Sequence, residues 1–181
     1  LNMTPSGVEP HDYELTPKDM ANIGRSRLII VNGGGLEPWS DLIEGIVDAS
    51  KTKVIAAANG VLTRKEEGGD GAEIDPHAWL SPIVAGSLAQ SILEGFVAVD
   101  PGNAEEYRKN AKALQEELSI LDVEYRDGLA HCESRDIVTA HSAFGYLASS
   151  YGLRQMPIAG LSPDAEPSLK DLGNIAAFAR S

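Results

Sequence analysis

The amino-acid sequence predicts an α/β protein in which two αβ segments are separated by one long helix. Three features carry this reading. The apolar runs Leu28–Val31 and Lys53–Ala57 flank a helical pattern, the βαβ arrangement of a parallel sheet with a right-handed crossover. Tyr107, Ala111, Leu114, Leu118, Leu121 and Tyr125 then recur at alternating steps of four and three, which puts one apolar stripe on a long helix. After Glu133 a second strand–helix–strand–helix unit begins.

In chain order, Thr16-Pro17 followed by Asp19 reads as a helix start, with a capping side chain and proline at the first helical position. Leu28-Ile29-Ile30-Val31 is a buried-type strand closed by Asn32-Gly33-Gly34-Gly35. These glycines lack the GxGxxG spacing and the Walker lysine, so they predict a tight turn and close backbone approach, not a phosphate loop. A helix through Leu42, Ile43, Ile46 and Val47 leads to the second strand. The polar, glycine-rich, mostly acidic stretch Arg64–Glu73 reads as an exposed mobile loop.

Ser81-Pro82 starts a helix running to about Val97, and Asp100-Pro101-Gly102 breaks it. Asn103 with Glu106 gives a capping-box-like restart. The stripe from Tyr107 to Tyr125 is expected to pack on a core; a coiled coil is disfavoured because only about three heptads are present. Asp136–Ala140 then reads as a strand and Ser142–Tyr151 as a helix ended by Gly152 in a left-handed cap. Met156-Pro157-Ile158 reads as a strand, and Pro167 opens a last helix, with Ser181 inside or just after it.

Charge narrows the function. Fifteen Lys and Arg against 27 Asp and Glu leave a net charge of -12, which argues against a nucleic-acid or anionic-membrane surface. The single cysteine, Cys132, excludes an internal disulfide and offers no CxxC metal site; it is expected to be buried or half-buried. No apolar run is expected to span a membrane, and no signal peptide is visible. Because the chain starts at Leu1 and stops within or just after the last helix, a processed or truncated product is expected.

Of four histidines, three sit in distinctive settings: His11 in Pro10-His11-Asp12-Tyr13-Glu14, His77 in Asp75-Pro76-His77-Ala78-Trp79, and His141 in Thr139-Ala140-His141-Ser142-Ala143. Neutral imidazole is a favoured ligand for zinc and suits other divalent transition metals. Donors this far apart in sequence need a tertiary fold to assemble them, which points to a cleft. His141 follows a strand, where α/β sheets bind ligands, or else it caps the next helix. His77 is held stiffly between Pro76 and the helix start, and Asp75 is placed to orient its ring. His11 has Asp12 and Glu14 as neighbours that either support it or are merely solvated. His131 beside Cys132 is incidental.

Together these segments resemble the metal-binding proteins of ABC importers for zinc and manganese, the ZnuA/PsaA/TroA-like family. Further matching stretches are Pro5–Glu14, Asn32-Gly33 through Glu37-Pro38-Trp39, Asp75–Pro82, Asn110, His141–Leu147 through Tyr151-Gly152-Leu153, Gly160–Pro163, and Glu166-Pro167-Ser168. The resemblance implies parallel-sheet αβ lobes at residues 1–102 and 131–181, bridged by a rigid helix at 103–130, with a metal in the cleft between them. It implies His11, His77 and His141 as metal ligands, and no catalytic residues. A histidine at position 141 favours Zn2+, with Mn2+ as the alternative.

It further implies a monomeric extracytoplasmic receptor, periplasmic or anchored as a lipoprotein, that passes its metal to an ABC permease. The family's first strand would precede Leu1, and its fourth ligand, a carboxylate, would follow Ser181. The loop at Arg64–Glu73 is short and carries no histidines, whereas zinc receptors of this family often have a histidine-rich loop there, which speaks against a chaperoning role for it. Two other readings compete. A three-histidine zinc site with an open position suits hydrolysis, although no HExxH-like general base is present. A surface adhesin is the other.

Overall fold

Residues 1–68, 71–163 and 169–178 are described in the computed structural model, and the elements alternate as the sequence predicts. Helix α1 (Pro17–Ile23) begins with a reciprocal cap. Thr16 Oγ1 accepts the Asp19 backbone N–H at 3.2 Å, and the Asp19 carboxylate accepts that of Thr16 at 3.0 Å. The helix delivers Ile23 into a cluster with Ile29, Val31, Trp39 and Ile43. Ile29 and Val31 come from β1 (Leu28–Val31), whose alternate residues are buried.

The expected second helix is shorter than its apolar pattern suggests. A single 3-10 turn, Ser40–Leu42, runs into α2 (Ile43–Ile46), and Val47 is already extended. Gly45 and the β-branched Ile43, Ile46 and Val47 are poor helix formers, and the Asp48 side chain accepts Ser50 N–H to start a turn. Strand β2 (Lys53–Ala56) lies parallel to β1, from Leu28 opposite Lys53 to Val31 opposite Ala56. The glycine turn between them does what its composition predicts. Gly34 has a φ of 69°, and a side chain there would meet Leu62 at 2.8 Å and Pro76 at 3.4 Å. The turn therefore lies directly against the segment that carries His77.

The stretch expected to be a mobile loop is a hairpin. Strands β3 (Lys65–Gly68) and β4 (Gly71–Ile74) pair antiparallel, from Lys65 opposite Ile74 to Gly68 opposite Gly71. Backbone pairing needs no apolar alternation, and that alternation is the signal by which strands are read from sequence. The Asp75 N–H donates to the Arg64 carbonyl at 3.1 Å, so the ladder continues to the residue two before His77.

Helix α3 (Pro82–Val99) ends slightly beyond the expected Val97. By length and composition it could cross a membrane, whereas the sequence reading expected no run of that kind. It packs instead on β1, β2 and α4 (Ala104–Leu129). At 1.5 Å per residue α4 is about 39 Å long. Asn103 is its N-cap residue but not through a capping box: its side chain donates to Asp100 at 2.8 Å.

The α4 stripe is only partly a core face. Tyr107 packs on Phe96 of α3, and Tyr125 stacks on Tyr151, yet Leu114 and Leu121 remain 45% and 39% exposed. Helix α3 covers one stretch and the helix holding Tyr151 another; among the described residues nothing seals the positions between.

The second αβ unit repeats the first. Strands β5 (Asp136–Thr139) and β6 (Arg154–Pro157) pair in parallel across α5 (Gly145–Tyr151), which Gly152 ends at a φ of 67°. The helix starts later than the predicted Ser142, because the Ser142 N–H is taken by the Gly160 carbonyl at 2.8 Å. Strand β6 begins two residues before the expected Met156. Helix α6 (Leu169–Phe178) packs on β6, and its predicted opening at Pro167 lies outside the described residues, as does Glu166-Pro167-Ser168. Cys132 is exposed, contrary to the expected burial, because it lies just past the free end of α4.

Candidate metal centre

Three separate devices aim the histidines at one point. His11 sits in a 3-10 turn, Pro10–Asp12, whose N-cap Glu9 accepts the His11 N–H at 3.4 Å. His77 follows the hairpin and is 2% exposed. The Asp75 carboxylate, wholly buried, accepts both the His77 backbone N–H at 3.0 Å and its ring Nδ1–H at 2.9 Å. A carboxylate can only accept at that distance, so in the neutral ring the proton sits on Nδ1 and the lone pair lies on Nε2, the nitrogen nearest His11. The orienting role expected for Asp75 is met.

His141 lies two residues past β5, and its carbonyl accepts from Thr139 Oγ1 at 2.9 Å and from Gln155 Nε2 at 3.1 Å. Helix α5 is capped at Phe144, so the alternative of His141 as a helix cap drops out. Sequence reasoning missed Gln155, and it named Asn32 only as part of the glycine turn, without its contact to the His77 segment. Asn32 Nδ2 donates to the Pro76 carbonyl at 2.9 Å and so ties the glycine turn to the His77 segment. Neither residue has a local signal, because each acts across a sheet or between segments far apart in sequence.

The outcome is convergence. Ring nitrogens of His11, His77 and His141 all lie within 4.8 Å of one another, and the Nε2 atoms of His11 and His77 are 3.2 Å apart. Two nitrogens bound tetrahedrally to one zinc at about 2.0–2.1 Å would be separated by about 3.3 Å. His131 and Cys132 take no part. Burial, reinforced by the neighbouring His77, pushes the His11 and His141 imidazoles below the ordinary histidine range, and Glu9 partly opposes this. Both are thereby kept neutral, the form that binds metal. A cavity of about 420 Å3 lies beside the cluster, bordered by His11, Gly34, Glu73, Pro76 and Ser162.

Comparison with known proteins identifies the family of the chain. Residues 1–181 match the family described as zinc-uptake complex component A, periplasmic. The chain belongs to that ZnuA family. A high-affinity zinc uptake system protein of Bacillus subtilis is 39% identical over 189 residues, covering 98% of this chain and 59% of the relative. The zinc-bound ZnuA-like domain of AdcA from Streptococcus pneumoniae superposes with a TM-score of 0.79 at 36% identity, over 98% of this chain and 65% of that one. A mutant of the laminin-binding adhesin of Streptococcus agalactiae gives 0.84 at 32% identity, over 97% and 66%. The ZnuA-family chain described here thus spans about three-fifths of the Bacillus relative.

The family match agrees with the α/β class expected from sequence, two parallel-strand units joined by a long helix.

Proposed function

We propose that this chain is the metal-capturing part of an extracytoplasmic receptor that takes Zn2+ on His11, His77 and His141 and hands it to an ABC permease. The observation that carries the reading is the convergence of three imidazole donors from three separate segments within 4.8 Å. Division into residues 1–102, a connecting helix at 103–130 and residues 131–181 suits this role, with His141 contributed from the far side of the helix. An all-nitrogen donor set favours zinc over manganese, which prefers carboxylate oxygen. The zinc-uptake names of the relatives support transport over hydrolysis. Likeness to the laminin-binding adhesin supports surface attachment as a second role, tested by laminin binding with and without zinc.

Calorimetric titration of the metal-stripped chain with zinc is expected to give one tight site per chain, and no binding would contradict the reading. Affinity should fall steeply below about pH 6, as protons compete for the imidazoles.

The metal-free chain has its own pH dependence. His11 and His141 titrate lower in the folded chain than in the unfolded one, so between those values the unfolded chain binds more protons. Their contribution to stability is complete above the ordinary histidine value of about 6.5 and is lost as pH falls through the lowered folded values. Urea denaturation at pH 7.5 and 5.5 checks this: equal stability at both would contradict it.

A further inference from the structure

Three residues outside the histidine cluster meet behind Asp75. Arg64, just before β3, points its Nε at Asp75 Oδ2 from 3.6 Å, the carboxylate oxygen that His77 does not use. Its guanidinium passes over the backbone of Gly145, the first residue of α5. A Cβ there would meet Arg64 Nε at 2.5 Å, Asp75 Oδ2 at 2.8 Å and Arg64 Cζ at 2.9 Å. Only glycine leaves this passage open. Beyond it Arg64 Nη1 donates to Ser149 Oγ at 2.8 Å.

The neighbouring Tyr146 is buried, and its hydroxyl is fully used. It accepts the backbone N–H groups of Thr63 at 3.1 Å and Arg64 at 3.3 Å, and donates to the Asp75 carbonyl at 3.2 Å. These contacts come from the first two residues of α5, four and five positions past His141, and reach Thr63 and Arg64 on one side of the hairpin and Asp75, two residues before His77, on the other.

We propose that Arg64, Gly145 and Tyr146 form a junction that transmits the placement of the His141-bearing unit to the His77 ring, making Arg64 and Tyr146 positioning residues for metal capture. The proposal rests on the metal-receptor reading above. The two oxygens of Asp75 divide the work: one orients His77, the other faces Arg64, whose path is set by α5. Docking of α5 therefore aligns His77 at the same time as it delivers His141. Disturbing the junction should loosen the His77 ring without touching any of the three histidines.

The test uses the whole chain as wild type, Tyr146→Phe, Arg64→Met, Arg64→Lys and Gly145→Ala. Zinc affinity is measured by competition with a chelator, and the His77 tautomer is read by long-range 1H–15N NMR on the metal-free protein. Tyr146→Phe and Arg64→Met are expected to weaken zinc binding about tenfold to a hundredfold, the range seen when outer partners of metal-bound histidines are removed. The His77 Nδ1–H signal should broaden or mix tautomers in both, and Arg64→Lys should recover part of the affinity.

Gly145→Ala should act like Arg64→Met. Circular dichroism identifies any variant that fails to fold, and Tyr146→Phe, the mildest change, then carries the test. Wild-type affinity and an unchanged His77 signal in folded Tyr146→Phe and Arg64→Met would overturn the junction while leaving the metal site intact. Failure of the wild type itself to bind zinc would overturn the receptor reading, and the junction's role with it.

Discussion

Substituting His77 by alanine is expected to lower zinc affinity more than about a hundredfold, beyond the effect of losing an outer partner of a metal-bound histidine. His77 is the central member of the cluster: its ring lies 5.2 Å from that of His11 and 5.3 Å from that of His141. It is also the most buried of the three and the one whose free nitrogen is dictated by a carboxylate. Each single alanine leaves two imidazoles within reach of one ion, but only His77→Ala removes the ring that the buried Asp75 carboxylate holds in place. Calorimetric titration of the three variants side by side checks the order. A His77→Ala chain that binds zinc as tightly as wild type would mean that the site lies elsewhere.

The second large effect is expected at Asp75. Asp75→Ala removes the acceptor for two His77 N–H groups and the carboxylate facing Arg64, in a place with no exposure. Truncating one partner of a buried polar network leaves the others unsatisfied, at about 2–4 kcal/mol, discounted here because Arg64 is about one-third exposed. Stability and affinity should therefore fall together: urea unfolding shifts to lower denaturant, and zinc binding weakens about tenfold to a hundredfold. Asp75→Asn is the informative companion. It keeps the shape and an acceptor for Nδ1–H but loses the charge toward Arg64, so it should retain more stability than Asp75→Ala. Equal stability of Asp75→Ala and wild type in urea would contradict the structure around His77.

Much of this architecture was legible because it rests on local signals. The Thr16–Asp19 cap, the apolar strand Leu28–Val31, the left-handed Gly152 and the long 104–129 helix each follow from the chemistry of a few neighbouring residues. The histidines could be picked out, since Pro76 and Asp75 beside His77 mark a stiff, oriented imidazole. Illegible features share a different physics. The 65–74 hairpin is held by backbone pairing between polar strands, which no apolar period announces. Exposure of Leu114 and Leu121 depends on which elements flank α4, not on α4 itself. Gln155, Asn32 and Tyr146 act on residues 14, 44 and as many as 83 positions away, so their roles exist only in the folded chain.

X-ray absorption at the zinc edge of the loaded chain tests the central claim most directly. Three imidazole nitrogens at about 2.0–2.1 Å are predicted, with multiple-scattering features that fall to two in His77→Ala. A first shell with fewer than three imidazoles, or one containing sulfur from Cys132, would contradict a site built on His11, His77 and His141.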